Sequence, residues 1–341
     1  MDLQTKARLN EGILEMTAQR YGIAREQLES LGGFESFIYA FTAPDGGQRI
    51  LRLAHTARRS EQLILGEVDF INHLAAGGAT VARAVPSANT RLVEPIDDGH
   101  GGAFLATAFE RAPGVPPKRF GHTPALYVAW GRLLARMHAA SVAYTPTDAA
   151  WRRPDHDGWA SAGVEDLHTF LPADQPLVRH RHHELRAALR DLPRDAASFG
   201  LVHYDAHGGN LLVDGPADDP LLTVFDFDDC CHAWFAADIA IVLYYVLMHS
   251  DDPAAMTAQV LPDLLRGYRD VRPLDPVWLA AFPLFLKQRE FDLYAVVHRS
   301  FDVASPGHAD SWGARFVAKH RPRIEQGVPV VDIDFAALAG E

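Results

Sequence analysis

Apolar positions recur at helical spacing through residues 1–30 (Leu3, Ala7, Leu9, Ile13, Leu14, Met16, Ala18, Ala24 and Leu28), and the pattern predicts helix there. The period then shortens. Residues 31–42 predict a strand that opens on Gly32-Gly33 and carries Ser36 in the turn at its start. Pro44-Asp45-Gly46-Gly47 is a turn, and residues 49–54 return as the second arm of a hairpin. Leu63, Ile64, Val68, Ile71 and Leu74 form the apolar stripe of a helix over 58–76, with Glu67 at its middle. Two more strands are expected near 90–96 and 103–109. Glu110-Arg-Ala112-Pro-Gly then has the composition of a linker. The expected organisation is α+β and two-lobed: a β-rich N-terminal lobe over residues 1–110 and a mostly helical C-terminal lobe over 111–341.

Beyond the linker, Thr123 is an N-cap with Pro124 at the first helical position. That helix carries Trp130, Leu133, Leu134, Met137 and His138, the last expected to be a partly buried helix-end histidine. Further helices are predicted over 175–191, 236–248, 253–269, 276–297 and 311–325. Between them lie three short β-rich runs at 199–202, 211–213 and 221–225. Asp214-Gly215-Pro216 turns between the last two, which read as a hairpin.

The candidate chemistry sits on these runs. His203-Tyr-Asp205-Ala-His207-Gly-Gly-Asn210 follows the first, and Asp226-Phe-Asp228-Asp229 follows the third. The pattern H-x-D-x-x-x-x-N with a later carboxylate is what a kinase-like phosphoryl-transfer site needs. Asp205 takes or orients the proton of an attacking hydroxyl; Asn210 and Asp226 supply hard oxygen ligands that hold Mg²⁺ against the phosphates of ATP. The hairpin brings these two ligands together. Arg52, on the return strand of the N-terminal hairpin, is a phosphate-binding cation paired with Glu67, with a strand-face surface charge as the alternative. Ser36 is a phosphate donor. The backbone at Glu110 and Ala112 offers adenine hydrogen bonds.

Composition adds exclusions. The chain has 341 residues, 48% hydrophobic and 22% charged, ordinary for a globular protein of two lobes. A net charge of −12 argues against nucleic-acid or anionic-membrane partners. The longest apolar run, 236–248, is broken by Asp238 and too short to span a bilayer. Cys230 and Cys231 are adjacent, a poor disulfide geometry, and the first residues show no apolar signal region; a reduced, cytoplasmic setting is expected. His180, His182 and His183 read as a solvated helix face. The apolar tail 328–338 either caps the core or meets a partner; oligomeric state is not legible.

With these residues in view, the chain resembles the aminoglycoside phosphotransferase/choline kinase group of protein-kinase-like small-molecule kinases. The loop is similar to H-G-D-x-H-x-x-N-x-L, Phe225-Asp226-Phe227-Asp228 to I-D-F-[DE], Asp238-Ile-Ala240 to D-[LI]-A, and Leu133–His138 to L-x-x-L-H. The resemblance implies a kinase-like fold and transfer from ATP to a hydroxyl of a small, often amine-bearing molecule. It implies that Asp205 is the catalytic base, Asn210 and Asp226 metal ligands, Arg52 the phosphate cation, and Asp238 a structural carboxylate under the loop. Asp228 would assist a second metal or the acceptor. Two positions depart from the pattern: Tyr204 stands where glycine is usual, narrowing the site or reshaping its loop, and Arg52 where many members have lysine. Arginine is common in the branch with homoserine-kinase-like and stress-response-kinase-like proteins. Candidate acceptor-lining or supporting residues are His203, His207, Asp228, Asp229, Trp234, Asp238, Glu290, Tyr294 and Trp312. A protein Ser/Thr kinase of stress-response type and a nucleotide-binding pseudokinase remain as alternatives.

Overall fold

The structure, a computed structural model, describes residues 3–303 and 311–340. The N-terminal part opens with α1 (Leu3–Ala7) and α2 (Glu11–Arg20), then β1 (Glu29–Gly32), β2 (Phe37–Thr42) and β3 (Gln48–His55). Helix α3 (Glu61–Ala76) follows, then β4 (Ala84–Val85), β5 (Glu94–Asp97) and β6 (Ala103–Glu110). The strands form one antiparallel sheet, β1-β2-β3-β6-β4, with β5 also on β6. The predicted helix over 1–30 is therefore two short helices and the start of a strand; Met1 and Asp2 lie outside the described residues. The strand expected from Leu31 is also divided. Gly32 ends β1 and Gly33 begins the turn into β2, so the glycines join two strands instead of opening one.

Alternation on β3 explains how the sheet serves two faces. Leu51 and Leu53 pack with Ile13, Leu14 and Ala18 of α2, whereas Ala54 packs with Ile64 and Val68 of α3. Arg52 shares the α3 face. The Ser60 hydroxyl caps α3 by accepting from the Leu63 N–H.

The rest of the chain is mainly helical: α4 (Pro124–Val142), α5 (Pro176–Arg190), β7 (Phe199–Val202), β8 (Leu211–Asp214), β9 (Leu221–Val224), β10 (Cys231–Trp234), α6 (Phe235–Met248), α7 (Pro253–Arg269), α8 (Phe282–Ser300) and α9 (Trp312–Glu325). Strand β10, which the sequence pattern did not reveal, pairs antiparallel with β7 and runs directly into α6. The helix expected over 276–297 is a 3₁₀ segment, Pro276–Ala281, followed by α8. The 328–338 tail caps the core through Val331 and Phe335, the latter against Phe282. Both cysteines are free and buried. Among the described residues no helix is long and apolar enough to cross a membrane.

Helices α4 and α7 cross with their backbones nearly touching. A Cβ on Gly131 would lie 2.0 Å from the Leu264 carbonyl oxygen, and one on Gly267 2.0 Å from that of Val128. Alanine normally favours a helix over glycine, yet Gly131→Ala is expected to destabilise the fold by about 1–3 kcal/mol, because two packed helices must separate. Urea unfolding reads this directly; a stabilised variant would show that the crossing yields.

Candidate active site

A cavity of about 500 Å³ lies between the sheet and the helices, and Gly33, Ser36, Arg52, Asp205, Asp226 and Arg289 all reach it. Each is delivered by a local device. Strands β8 and β9 pair with Leu211 opposite Val224, and the Phe225 N–H donates to the Asn210 carbonyl at 2.9 Å. Asn210 and Asp226 are thereby fixed at the open end of one hairpin. Asn210 Nδ2 donates to both the backbone oxygen and Oδ2 of Asp205, each at 2.9 Å. This use of the amide nitrogen leaves Asn210 Oδ1 as its acceptor atom.

The catalytic-loop candidate is held from beneath by Asp238, at the first turn of α6. Its carboxylate accepts the N–H groups of His203 (3.1 Å) and Tyr204 (2.7 Å). His138 also bonds to it, at 3.1 Å, and through its other nitrogen to the Tyr268 hydroxyl at 2.9 Å. His138 is therefore wholly buried rather than a partly exposed helix end; burial keeps its ring below the usual histidine range, against the pull of Asp238. Tyr204 adopts φ 64°, the left-handed region that glycine favours. Its side chain borders the cavity. Asp226 has the same φ of 64°. Strain of this kind, of order 1–3 kcal/mol per residue, concentrates at functional sites.

His203 lies between the two acidic motifs. Its Nδ1 accepts from the Asp205 N–H at 3.2 Å, so its Nε2–H donates to the Phe225 carbonyl at 3.0 Å. One neutral ring thus ties the loop to the residue before Asp226. His207 stacks on Tyr245, ring centroids 4.0 Å apart, and its Nε2 lies 3.6 Å from Asp205 Oδ2.

Arg52 and Glu67 form a buried two-bond pair, Nη1 to Oε1 at 2.8 Å and Nη2 to Oε2 at 2.6 Å. Arg52 also approaches Asp226 to 3.7 Å. Burial raises Asp226 toward about 7; Arg52 opposes, and Asp228, Glu67 and Asp205 add to the rise. A site that crowds carboxylates against a reluctant acid suits a divalent cation, which reverses that penalty. Burial works against the charge of Asp205 too, but Arg289 first and then His207 hold it below the usual carboxylate range.

Asp228 also borders the cavity and pairs with Arg58 (2.5 Å) and Arg59 (3.3 Å). Arg59 also reaches Asp229, which borders the cavity, at 3.0 Å. Ser36 lies in the tight β1–β2 turn; a Cβ on Gly33 would meet the Ser36 carbonyl oxygen at 2.0 Å. The neighbouring Glu35 carboxylate pairs with Arg58 at 3.0 Å and with Arg299 of α8, while Phe34 stacks on Phe301 and Phe301 packs against Trp312. The turn thus bridges the cavity to its far wall, where Trp312 stands as expected. The Glu110 side chain pairs with Arg83 at 2.6 Å, and neither it nor Ala112 borders the cavity.

Three acceptor candidates are not brought to the cavity. Trp234 turns into the core and donates to the Pro193 carbonyl. Glu290 is buried against Lys287 and His320, and the Tyr294 hydroxyl donates to Gln175. Glu290 and Tyr294 face the interior because α8 presents Gln288, Arg289, Asp292, Leu293 and Val296 to the cavity instead. Their helical phase could have been read only with the neighbouring elements placed. His182 is a further correction: it is buried, 4.1 Å from the His168 ring, whereas His180 and His183 are exposed. Burial disfavours the charged form of His168, but the hydrogen bonds it donates to Asp166 and Asp292 outweigh it and raise the ring to about 9.

A sheet above, helices below and an oxygen-rich cleft between them make this chain a kinase-fold enzyme that transfers a phosphoryl group to a small-molecule hydroxyl. It belongs to the phosphotransferase enzyme family, whose profile matches residues 28–276. It is 35% identical over 332 residues to an amicoumacin kinase of Bacillus subtilis (strain 168), covering 96% of each chain. A solved amicoumacin kinase in complex with AMP-PNP, Ca²⁺ and Ami superposes with a TM-score of 0.90 at 35% identity, over 99% of this chain and 100% of that one. A microcompartment-associated aminopropanol kinase shares the fold, with a TM-score of 0.75 at 22% identity over 93% of this chain and 97% of that one.

Proposed function

We propose that the enzyme transfers the γ-phosphoryl group of ATP to a hydroxyl of an amine-bearing antibiotic of the amicoumacin type. The observation that carries this reading is that Asp205 and Asp226 face one cleft beside the Arg52–Glu67 pair, with Asn210 hydrogen-bonded to Asp205. In it Asp205 accepts the hydroxyl proton, and Arg52 with Ser36 orients the phosphates. The donor set fits Mg²⁺: Asn210 Oδ1 and the Asp226 carboxylate are hard oxygen ligands. Among the described residues no group of three or more His, Cys, Asp or Glu could hold a metal by itself, and Mg²⁺ in nucleotide sites takes the remainder of its shell from phosphates and water. Bound there, Mg²⁺ supplies charge neutralisation. Glu165, Asp166, Asp229 and Asp292 border the cavity, and carboxylates there favour an amine.

The test is ADP release from Mg-ATP with amicoumacin, amino alcohols, homoserine, aminoglycosides and a generic protein substrate, each supplied separately. Saturable stimulation by amicoumacin is expected. Stimulation by homoserine or an amino alcohol alone would move the acceptor to that class. Stimulation by protein alone would overturn the small-molecule reading.

A further inference from the structure

Arg289 stands where no sequence signal placed it. From α8 its Nη2 donates to Asp205 Oδ1 and, at 2.6 Å, to the Tyr245 hydroxyl; the guanidinium carbon lies 5.1 Å from the Tyr245 ring centre. Among the described residues Nη1 has no protein acceptor. We propose that Arg289 is a catalytic residue, the cation on the acceptor side of the transferring phosphoryl group, gripping Asp205 with one nitrogen and a phosphoryl oxygen with the other.

The manner in which Arg289 is held separates this role from a structural one. Buried Arg153 shows what a structural arginine looks like here: Nε, Nη1 and Nη2 donate to the carbonyls of Cys230, Leu63 and Asp228 at 2.8, 2.8 and 2.6 Å. Among the described residues Arg289 is fastened through Nη2 alone, at its cleft end. Its Nε is buried without a protein partner, beside a void of about 10 Å³ that Asp292 and His156 also border.

Charge placement points the same way. Between Asp205 and Asn210 the loop reads Ala-His-Gly-Gly, with no lysine or arginine. Arg52 is engaged with Glu67, and Arg58 and Arg59 with Asp228, Asp229 and Glu35. Among the described residues the ion-pair partners of Asp205 are His207 and Arg289. Arg289 on Oδ1 also turns the carboxylate so that Oδ2, shared with Asn210, is presented to the acceptor. In the step itself the acceptor oxygen bonds to the γ-phosphorus as the bond from that phosphorus to the β–γ bridging oxygen breaks. ADP leaves with the electron pair, and the hydroxyl proton passes to Asp205. Arg289 forms no covalent bond and keeps its proton; it faces the charge spread over the phosphoryl oxygens.

This inference rests on Asp205 as proton acceptor, and its test does not need the acceptor. Calorimetry compares Mg-ADP with Mg-ADP plus aluminium fluoride, which stands in for the planar phosphoryl group, for wild type, Arg289→Gln and Arg289→Lys. Wild type is expected to bind more tightly when fluoride is added. Arg289→Gln should lose roughly tenfold or more of that gain, with ADP affinity kept, and Arg289→Lys should retain part. In turnover with amicoumacin, Arg289→Gln should lower kcat by roughly 10²-fold with little change in the KM for ATP. An equal fluoride effect in wild type and Arg289→Gln overturns the proposal. So does a joint loss of ADP affinity and thermal stability in Arg289→Gln and Arg289→Lys, which assigns the residue to the fold. If wild type gains affinity with fluoride but does not turn over amicoumacin, the acceptor assignment fails and the Arg289 comparison still stands.

Discussion

Asp205→Asn is expected to lower phosphoryl transfer by about 10³- to 10⁴-fold while leaving Mg-nucleotide binding nearly intact. Asparagine keeps the size of the side chain, and its amide oxygen can still accept from Arg289 or Asn210. The backbone oxygen of Asp205, which receives the second bond from Asn210, is untouched. What disappears is a group able to take the hydroxyl proton. The paired measurement is kcat with an accepted substrate beside the Kd for AMP-PNP. A variant within tenfold of wild type would reduce Asp205 to a positioning role, and a parallel loss of AMP-PNP affinity would mean that the loop had collapsed.

Glu67→Ala should have the largest effect on stability. It strips the buried Arg52 guanidinium of both of its 2.8 and 2.6 Å hydrogen bonds and leaves Asp226, at 3.7 Å, as its nearest carboxylate. Breaking one side of a buried pair costs about 3–5 kcal/mol, because the surviving charge stays out of water. The double replacement Arg52→Met with Glu67→Leu removes both charges and should regain most of that stability. It should not regain nucleotide affinity, since no cation would face the phosphates. Denaturant unfolding and AMP-PNP titration on the same proteins separate the two effects. A double variant that unfolds as easily as Glu67→Ala would show that the pair is needed for packing.

The parts of the site that were legible in the sequence share a physical reason. Asp205, Asn210 and Asp226 lie close in the chain on strands with clear turns between them, so spacing alone implied their meeting across a hairpin. Arg52 and Glu67 were readable as partners because one is mid-strand and the other mid-helix on adjacent elements. The acceptor side was not readable. Residues on α8 reach the cavity or the core according to a helical phase set by α5, α6 and α9, and the phase that brought in Arg289 and Asp292 sent Glu290 and Tyr294 inward. Arg153 was hidden for the same reason: its partners are carbonyls far away in sequence. Strand β1 was not legible because, with Glu29 and Ser30, it carries no apolar alternation to announce a strand.

The Glu35 and Phe34 contacts have a consequence for traffic. The turn that lies over the phosphate side is fastened, through Arg299 and Phe301, to the wall that encloses the acceptor. Lifting it breaks those contacts, so the turn cannot move without also releasing the Arg299 and Phe301 side of the cavity.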